Sequence, residues 1–327
     1  MSGVAEIGVL GAGAWGTALA QMLASDGRPV RIWAREQEVV SAINSAHENP
    51  IFLPDRPLSP SIIATDNLSS MNGMEALLVV TPAQHMHSVL AQLDNPGALI
   101  LCSKGIEVSS GSFMFDIAAK LFPDAPKAVL AGPNFAHEVA SGQPAAATLA
   151  CCEDALWEKL SPMIARPHFR PYRSSDPIGA EIGGAVKNVL AIACGVVDGL
   201  GLGQNARAAL ISRGFAEMVR FGVACGAEAE TLSGLSGLGD LVLTCSSESS
   251  RNFSFGRALG QGQTAESLMT GRTTVAEGAH TAPVLQQVAR EHGVEMPIVD
   301  SVCALLSGEA EAASVVTDLL ARPLGSE

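Results

Sequence analysis

Several groups in this chain have the types and spacing that chemistry requires. Gly11-Ala12-Gly13-Ala14-Trp15-Gly16 follows the apolar run Ile7 to Leu10 and has GxGxxG spacing. After a strand and at the start of a helix, that pattern is a dinucleotide fingerprint. Gly11 permits a tight turn, Gly13 lets the backbone approach a pyrophosphate, and Gly16 lets the helix pack closely. The free N–H groups and the positive end of the helix then hold negative phosphates. Ala14 and Trp15 lie in the same turn. Where the second strand ends, Trp33-Ala34-Arg35 offers a cation in place of the usual acid. Arg35 suits the extra phosphate of NADP, and the nearby Glu36 and Glu38 keep NAD open.

Lys104 lies just past an apolar strand, where ligands of open α/β sheets bind. It can hold a phosphate or polarise a carbonyl, or it is an ordinary loop lysine. Lys187 sits in Gly183-Gly184-Ala185-Val186-Lys187-Asn188, inside an otherwise apolar helical pattern. Burial disfavours its charged form and suits proton relay to an alcohol oxygen. A snorkelling lysine is the alternative. Gly234 to Asp240 reads as a glycine-rich turn ending in an acid. Thr244 and then Ser249-Ser250-Arg251-Asn252 follow. Hydroxyls before a helix, then Arg and Asn, make a phosphate cradle, or simply an N-cap with an exposed arginine. His137 and Glu138 could act as an acid/base pair, although a solvated helix face explains them as well.

These groups need elements to position them. Up to about Tyr172, short apolar strands alternate with helical patterns: Ile7 to Leu10, Val30 to Trp33, Ala76 to Val80, Ala98 to Cys102 and Ala128 to Ala131. Strands apolar throughout imply a parallel sheet covered on both faces. Thr81-Pro82 reads as a helix N-cap followed by Pro at N1. Beyond Tyr172 the patterns are helical, with Ile178 to Val197 the most apolar. Ser174-Ser175-Asp176-Pro177 marks the boundary. The expectation is an α/β fold: a Rossmann-type parallel-sheet domain over 1–176, then an all-α domain over 177–327.

Composition narrows the classes further. The 327 residues are 47% hydrophobic and 16% charged, which excludes a disordered chain. Asp and Glu number 33 against 20 Lys and Arg, a formal charge of −13. That balance argues against nucleic acid and against a polybasic membrane anchor. Any anion site must be a local cluster. The seven cysteines form no CxxC pair and read as reduced thiols. Neither HExxH nor a His/Cys cluster is present, so no metal is expected. The N-terminus lacks the pattern of a signal peptide, and no stretch reads as a membrane span. A cytoplasmic protein is the expectation.

In this order the motifs resemble the NAD(P)-dependent glycerol-3-phosphate dehydrogenases, in particular the bacterial type. The resemblance spans nearly the whole chain. It rests on Gly11 to Ala20 (GAGAWGTALA), Ser103 to Glu107 (SKGIE), Gly132 to Val139 (GPNFAHEV) and Gly183 to Asn188 (GGAVKN). Gly237 to Cys245 (GLGDLVLTC), Ser250 to Asn252 (SRN) and Val275 to Gly278 (VAEG) complete it. It implies a site between a Rossmann domain and a helical domain. It also implies reversible reduction of dihydroxyacetone phosphate to sn-glycerol 3-phosphate, which supplies glycerophospholipid synthesis, and a homodimer.

By the same resemblance, Lys187 is the catalytic acid/base. Lys104, Asp240, Arg251 and Asn252 contact substrate, with Lys104 and Arg251 also near the cofactor. Gly132, Asn134, Ala136, Val275 and Glu277 line the cofactor or substrate site. Two positions depart from the bacterial pattern: Asn134 stands where Ser or Thr is common, and Phe52 where Tyr is common. Rivals of the same architecture are a ketopantoate reductase and a β-hydroxyacid dehydrogenase, whose substrates lack this phosphate. A non-catalytic NADP-binding sensor would have no reason for Lys187, Asp240 and Arg251 together.

Overall fold

The computed structural model describes residues 7–270 and 276–320. The chain folds into two compact units. One comprises residues 1–104 and 112–181, the other residues 105–111 and 182–327.

The first unit is built on eight strands: β1 (Ile7–Leu10), β2 (Val30–Trp33), β3 (Ile62–Thr65), β4 (Ala76–Val79), β5 (Ala98–Leu101), β6 (Lys127–Ala131), β7 (Ala145–Ala150) and β8 (Phe169–Ser174). Helices α1 (Ala14–Leu23), α2 (Gln37–Ala46), α3 (Ala83–Leu90), α4 (Met114–Leu121), α5 (Ala136–Ala140) and α6 (Asp154–Ile164) connect them. The strand order is β3-β2-β1-β4-β5-β6-β7-β8. All pairs are parallel except β6 with β7, which are antiparallel. The fully parallel expectation therefore fails at one place. The short α5 turn between β6 and β7 reverses the chain without a full crossover, which antiparallel neighbours allow.

β1, β4 and β5 are buried along their whole length, so they carry no polar alternation. Strand β3 alternates, with Ile62 and Ala64 buried and Ile63 exposed. Together with β7 and β8 it escaped the sequence reading. Thr81 is not an N-cap: α3 opens after Pro82, and the buried Thr81 Oγ1 has no hydrogen-bond partner. Ser103 reaches that turn instead, donating to the Thr81 carbonyl at 2.6 Å.

Helix α7 (Pro177–Gly199) begins in the first unit and continues into the second. Asp176 caps its start by accepting the Gly179 N–H at 2.8 Å. The second unit then contains α8 (Gly203–Ala224), α9 (Ala229–Ser233), α10 (Asp240–Cys245), α11 (Arg251–Gly260), α12 (Ala265–Thr270), α13 (Glu277–Glu291), α14 (Pro297–Ser307) and α15 (Ala312–Leu320). Gly234 to Asp240 is not the simple turn expected. Leu235–Gly239 forms a π-helical turn that runs directly into α10. By length and composition α7 could cross a membrane, yet 94% of its most apolar window is buried inside the protein.

Candidate functional site

In the first unit, the fingerprint turn leaves the carboxyl end of β1. Gly11 has φ +108°, a left-handed conformation that favours glycine. A Cβ on Gly16 would stand 1.8 Å from the Gly11 carbonyl oxygen, so Gly16 keeps the turn itself closed. A Cβ on Gly13 would meet nothing within 4 Å, which leaves the backbone there open to a ligand. Gly13 caps α1 with no side-chain hydrogen bond, so the first N–H groups of the helix point at that opening.

A buried asparagine supports the turn. Asn49 donates to the Ala12 carbonyl at 2.9 Å and to Thr17 Oγ1 at 2.8 Å. Sequence reasoning read the Asn49 to Pro54 stretch only as loop. Asn49-Pro50 signals a turn, but not which distant backbone it would hold.

The other residues expected at this end come to the same edge of the sheet. Lys104 Nζ donates to the Gly132 carbonyl at 3.5 Å. A Cβ on Gly132 would lie 2.9 Å from Ala147 Cα, so glycine is required where β6 and β7 meet. Asn134 donates to the Ala146 carbonyl at 3.0 Å, and its Oδ1 is buried without a partner. Ala136 opens α5. Trp15 Nε1 is likewise buried and unpartnered. Buried polar atoms rarely stay unsatisfied in a native protein, so both fit a bound group with donors and acceptors. Arg35 follows β2, is exposed, and pairs with Glu36 at 2.9 Å. These features together fit a nicotinamide dinucleotide. His137 and Glu138 stand 3.9 Å apart on an exposed surface, as a solvated face requires.

In the second unit, Lys187 is 6% exposed and Asp240 is fully buried. Lys187 Nζ donates to Asp240 Oδ1, and to Thr244 Oγ1 at 3.0 Å. Thr244 also donates to Asp240 Oδ1 at 3.3 Å. The snorkelling alternative for Lys187 is thus excluded. Its ammonium is held by a carboxylate and a hydroxyl on one face of α10, four residues apart.

Local packing explains the alignment. A Cβ on Gly183 would stand 2.3 Å from the Ser236 carbonyl oxygen, so α7 meets the π-helical turn backbone to backbone. Lys187 and Asp240 each follow that contact by four residues, one helical turn. Sequence reasoning had placed Thr244 near the phosphate cradle. The four-residue spacing from Asp240 was the signal for its place beside Lys187.

Ser250 is the N-cap of α11 and accepts the Phe253 N–H at 3.2 Å. Arg251 is exposed. Asn252 donates to Asn188 Oδ1 at 2.9 Å, while its own Oδ1 accepts the Gly278 N–H at 2.9 Å. One amide hydrogen of Asn252 remains for a ligand. Glu277 opens α13. Val275 lies outside the described residues. No cluster of three metal-ligating side chains occurs among the described residues, and all seven cysteines are free.

A doubly wound sheet with an open glycine turn, and a helical unit with a buried lysine–carboxylate pair, define the class of two-part nicotinamide-dependent dehydrogenases. Family models narrow the class. Residues 6–156 match the N-terminal part of NAD-dependent glycerol-3-phosphate dehydrogenase, and residues 176–317 match its C-terminal part. The chain belongs to the glycerol-3-phosphate dehydrogenase family.

Individual relatives agree. It is 65% identical over 324 residues to the NAD(P)+ glycerol-3-phosphate dehydrogenase of Erythrobacter litoralis, covering 99% of this chain and 98% of the relative. The crystal structure of glycerol-3-phosphate dehydrogenase from Coxiella burnetii superposes with a TM-score of 0.92 at 37% identity, covering 97% and 99% of the two chains. A ketopantoate reductase from Ralstonia eutropha shares the fold alone, with a TM-score of 0.59 at 16% identity over 95% and 99% of the chains.

Proposed function

We propose that the protein reduces dihydroxyacetone phosphate to sn-glycerol 3-phosphate, reversibly, with NADP or NAD, and so supplies glycerophospholipid synthesis. The observation that carries this reading is the buried Lys187–Asp240–Thr244 cluster in a chain of this family. When bound, the cofactor supplies hydride to the ketone carbon. As negative charge develops on the ketone oxygen, the Lys187 ammonium stabilises it and delivers the proton. Asp240 and Thr244 fix the direction of Nζ, so little reorientation is needed during the reaction. Arg251, the N–H groups behind the Ser250 cap and the remaining Asn252 hydrogen hold the substrate phosphate, and Lys104 is a further substrate contact. Charged hydrogen bonds of this kind contribute about 1.5–3 kcal/mol each.

At the cofactor end, Gly11, Gly13, Ala14, Trp15 and Gly16 cradle the pyrophosphate. Arg35 takes the NADP phosphate, and Gly132, Asn134, Ala136 and Glu277 orient the remainder. In this reading residues 1–176 carry the dinucleotide and residues 177–327 the substrate. The protein is cytoplasmic and works as a homodimer.

The direct test follows NADPH and NADH absorbance with dihydroxyacetone phosphate and, separately, with ketopantoate. Turnover is expected with the first substrate. Turnover of ketopantoate alone would transfer the assignment to the rival reductases.

A further inference from the structure

In the helical unit, α7 and α11 lie side by side, parallel and in register. Asn252 bonds Asn188, a separation of 64 residues. One turn on, a Cβ at Gly256 would stand 2.0 Å from the Ile192 carbonyl oxygen; after another turn, one at Gly260 would stand 2.5 Å from the Val196 carbonyl oxygen. Both pairs keep the same separation of 64, since 256 − 192 and 260 − 196 are equal. The opposite helix repeats the pattern. A Cβ at Gly195 would meet the Phe253 carbonyl oxygen at 2.1 Å, and one at Gly199 the Arg257 carbonyl oxygen at 2.3 Å.

Four glycines, two on each helix at four-residue spacing, therefore form a backbone-to-backbone contact. Glycine is a poor helix former, and four in two helices lower helix stability. Interlocked large side chains normally keep helices about 8–10 Å apart and can repack when disturbed. Two backbones in contact have no rotamers with which to adjust. The Asn188–Asn252 bond closes the register at its N-terminal end. The Gly278 N–H fixes the Asn252 amide, because only Oδ1 can accept it. Counting one residue back along both helices puts Lys187 and Arg251, the first residue of α11, at the same height along the contact.

We propose that Gly195, Gly199, Gly256 and Gly260 are positioning residues for catalysis. Their contact holds the start of α11, with Ser250 and Arg251 of the proposed phosphate cradle, at a fixed height relative to Lys187. The substrate links its phosphate to its ketone through a single methylene and an ester oxygen. A cradle that slid along α7 could not hold the phosphate and leave the ketone at Nζ. This inference rests on the substrate reading above.

The test uses Gly260→Ala and, on the partner helix, Gly199→Ala. Both sit near helix ends, where the backbone gives most readily. For each variant kcat/KM is measured with dihydroxyacetone phosphate and with dihydroxyacetone, which has no phosphate to place. A displaced cradle lowers kcat/KM for the phosphorylated substrate by about 10- to 100-fold and leaves dihydroxyacetone within about twofold. An equal loss on both substrates, no loss on either, or failure of both variants to fold would overturn the positioning role. If the parent enzyme itself shows no preference for the phosphorylated substrate, the substrate reading falls, and this inference with it.

Discussion

At the residue scale, the decisive feature is an amine taken out of water and given two partners. An isolated ammonium in an apolar interior is costly, so Lys187 persists there because Asp240 and Thr244 satisfy it. Under the proposed function that arrangement is preorganised for a developing alkoxide. Lys187→Ala is expected to lower kcat by about 10²–10⁴ while NADPH affinity, measured by fluorescence titration, stays close to the parent value. Near-normal turnover would remove the proton-relay role. Arg35 presents the opposite case. Its bond to Glu36 is solvent-exposed and contributes little, so the guanidinium is readily redirected to a phosphate. Arg35→Asp is expected to reduce the preference for NADPH over NADH by roughly 10- to 100-fold, the worth of a charged hydrogen bond. An unchanged ratio of the two KM values would count against NADP selection at this position.

At the element scale, the helices of the second unit are joined by buried polar contacts as well as apolar ones. Glu217 on α8 is 3% exposed. Its Oε1 accepts the Ile298 N–H at the start of α14 at 2.9 Å, and its Oε2 is buried without a partner. Burial pushes the carboxyl up from 4.5 to about 7, against the opposing pull of the Ile298 and Val299 N–H groups and Arg220; Asp300 adds to the rise. A raised carboxyl favours the folded state while protonated. Its contribution is complete below about pH 4.5 and is lost as the pH climbs through about 7. Glu217→Gln keeps the acceptor and cannot ionise. The fall in Tm between about pH 5 and pH 8 should therefore be shallower in that variant; an identical slope would assign the pH dependence to other groups.

The elements themselves were unevenly legible. Long apolar helices such as α7 and fully buried strands such as β4 stand out, because every residue signals burial. Strands β7 and β8 did not. β7 is rich in alanine and β8 carries Arg170, Pro171 and Arg173, so neither has a strong strand pattern. The π-helical turn was hidden because its glycines read locally as loop. Close packing of Gly183 against Ser236, and of Gly237 against the Leu232 carbonyl, is what that turn accommodates.

At the scale of the whole molecule, a formal charge of −13 has to coexist with ligands that carry phosphates. The two are compatible because recognition is local. Under the proposed function, open N–H groups at α1 and a few placed cations serve the phosphates, while the acidic excess elsewhere aids solubility. The long apolar helix α7 similarly reads two ways until its surroundings are known. Its burial makes it the core of the helical unit.

The sequence by itself determined the fold class and the family and proposed the site residues, because each is encoded by motifs whose spacing is local: a glycine turn after a strand, or a lysine inside an apolar helix. Tertiary structure decided what those residues do to one another. That Lys187 pairs with Asp240 and Thr244, that Asn252 locks α11 to α7, and that Asn49 holds the fingerprint turn all depend on backbones tens of residues apart coming within a few ångströms. Local pattern cannot encode those approaches. They follow from which side chains, and which missing Cβ atoms, let two elements close on each other.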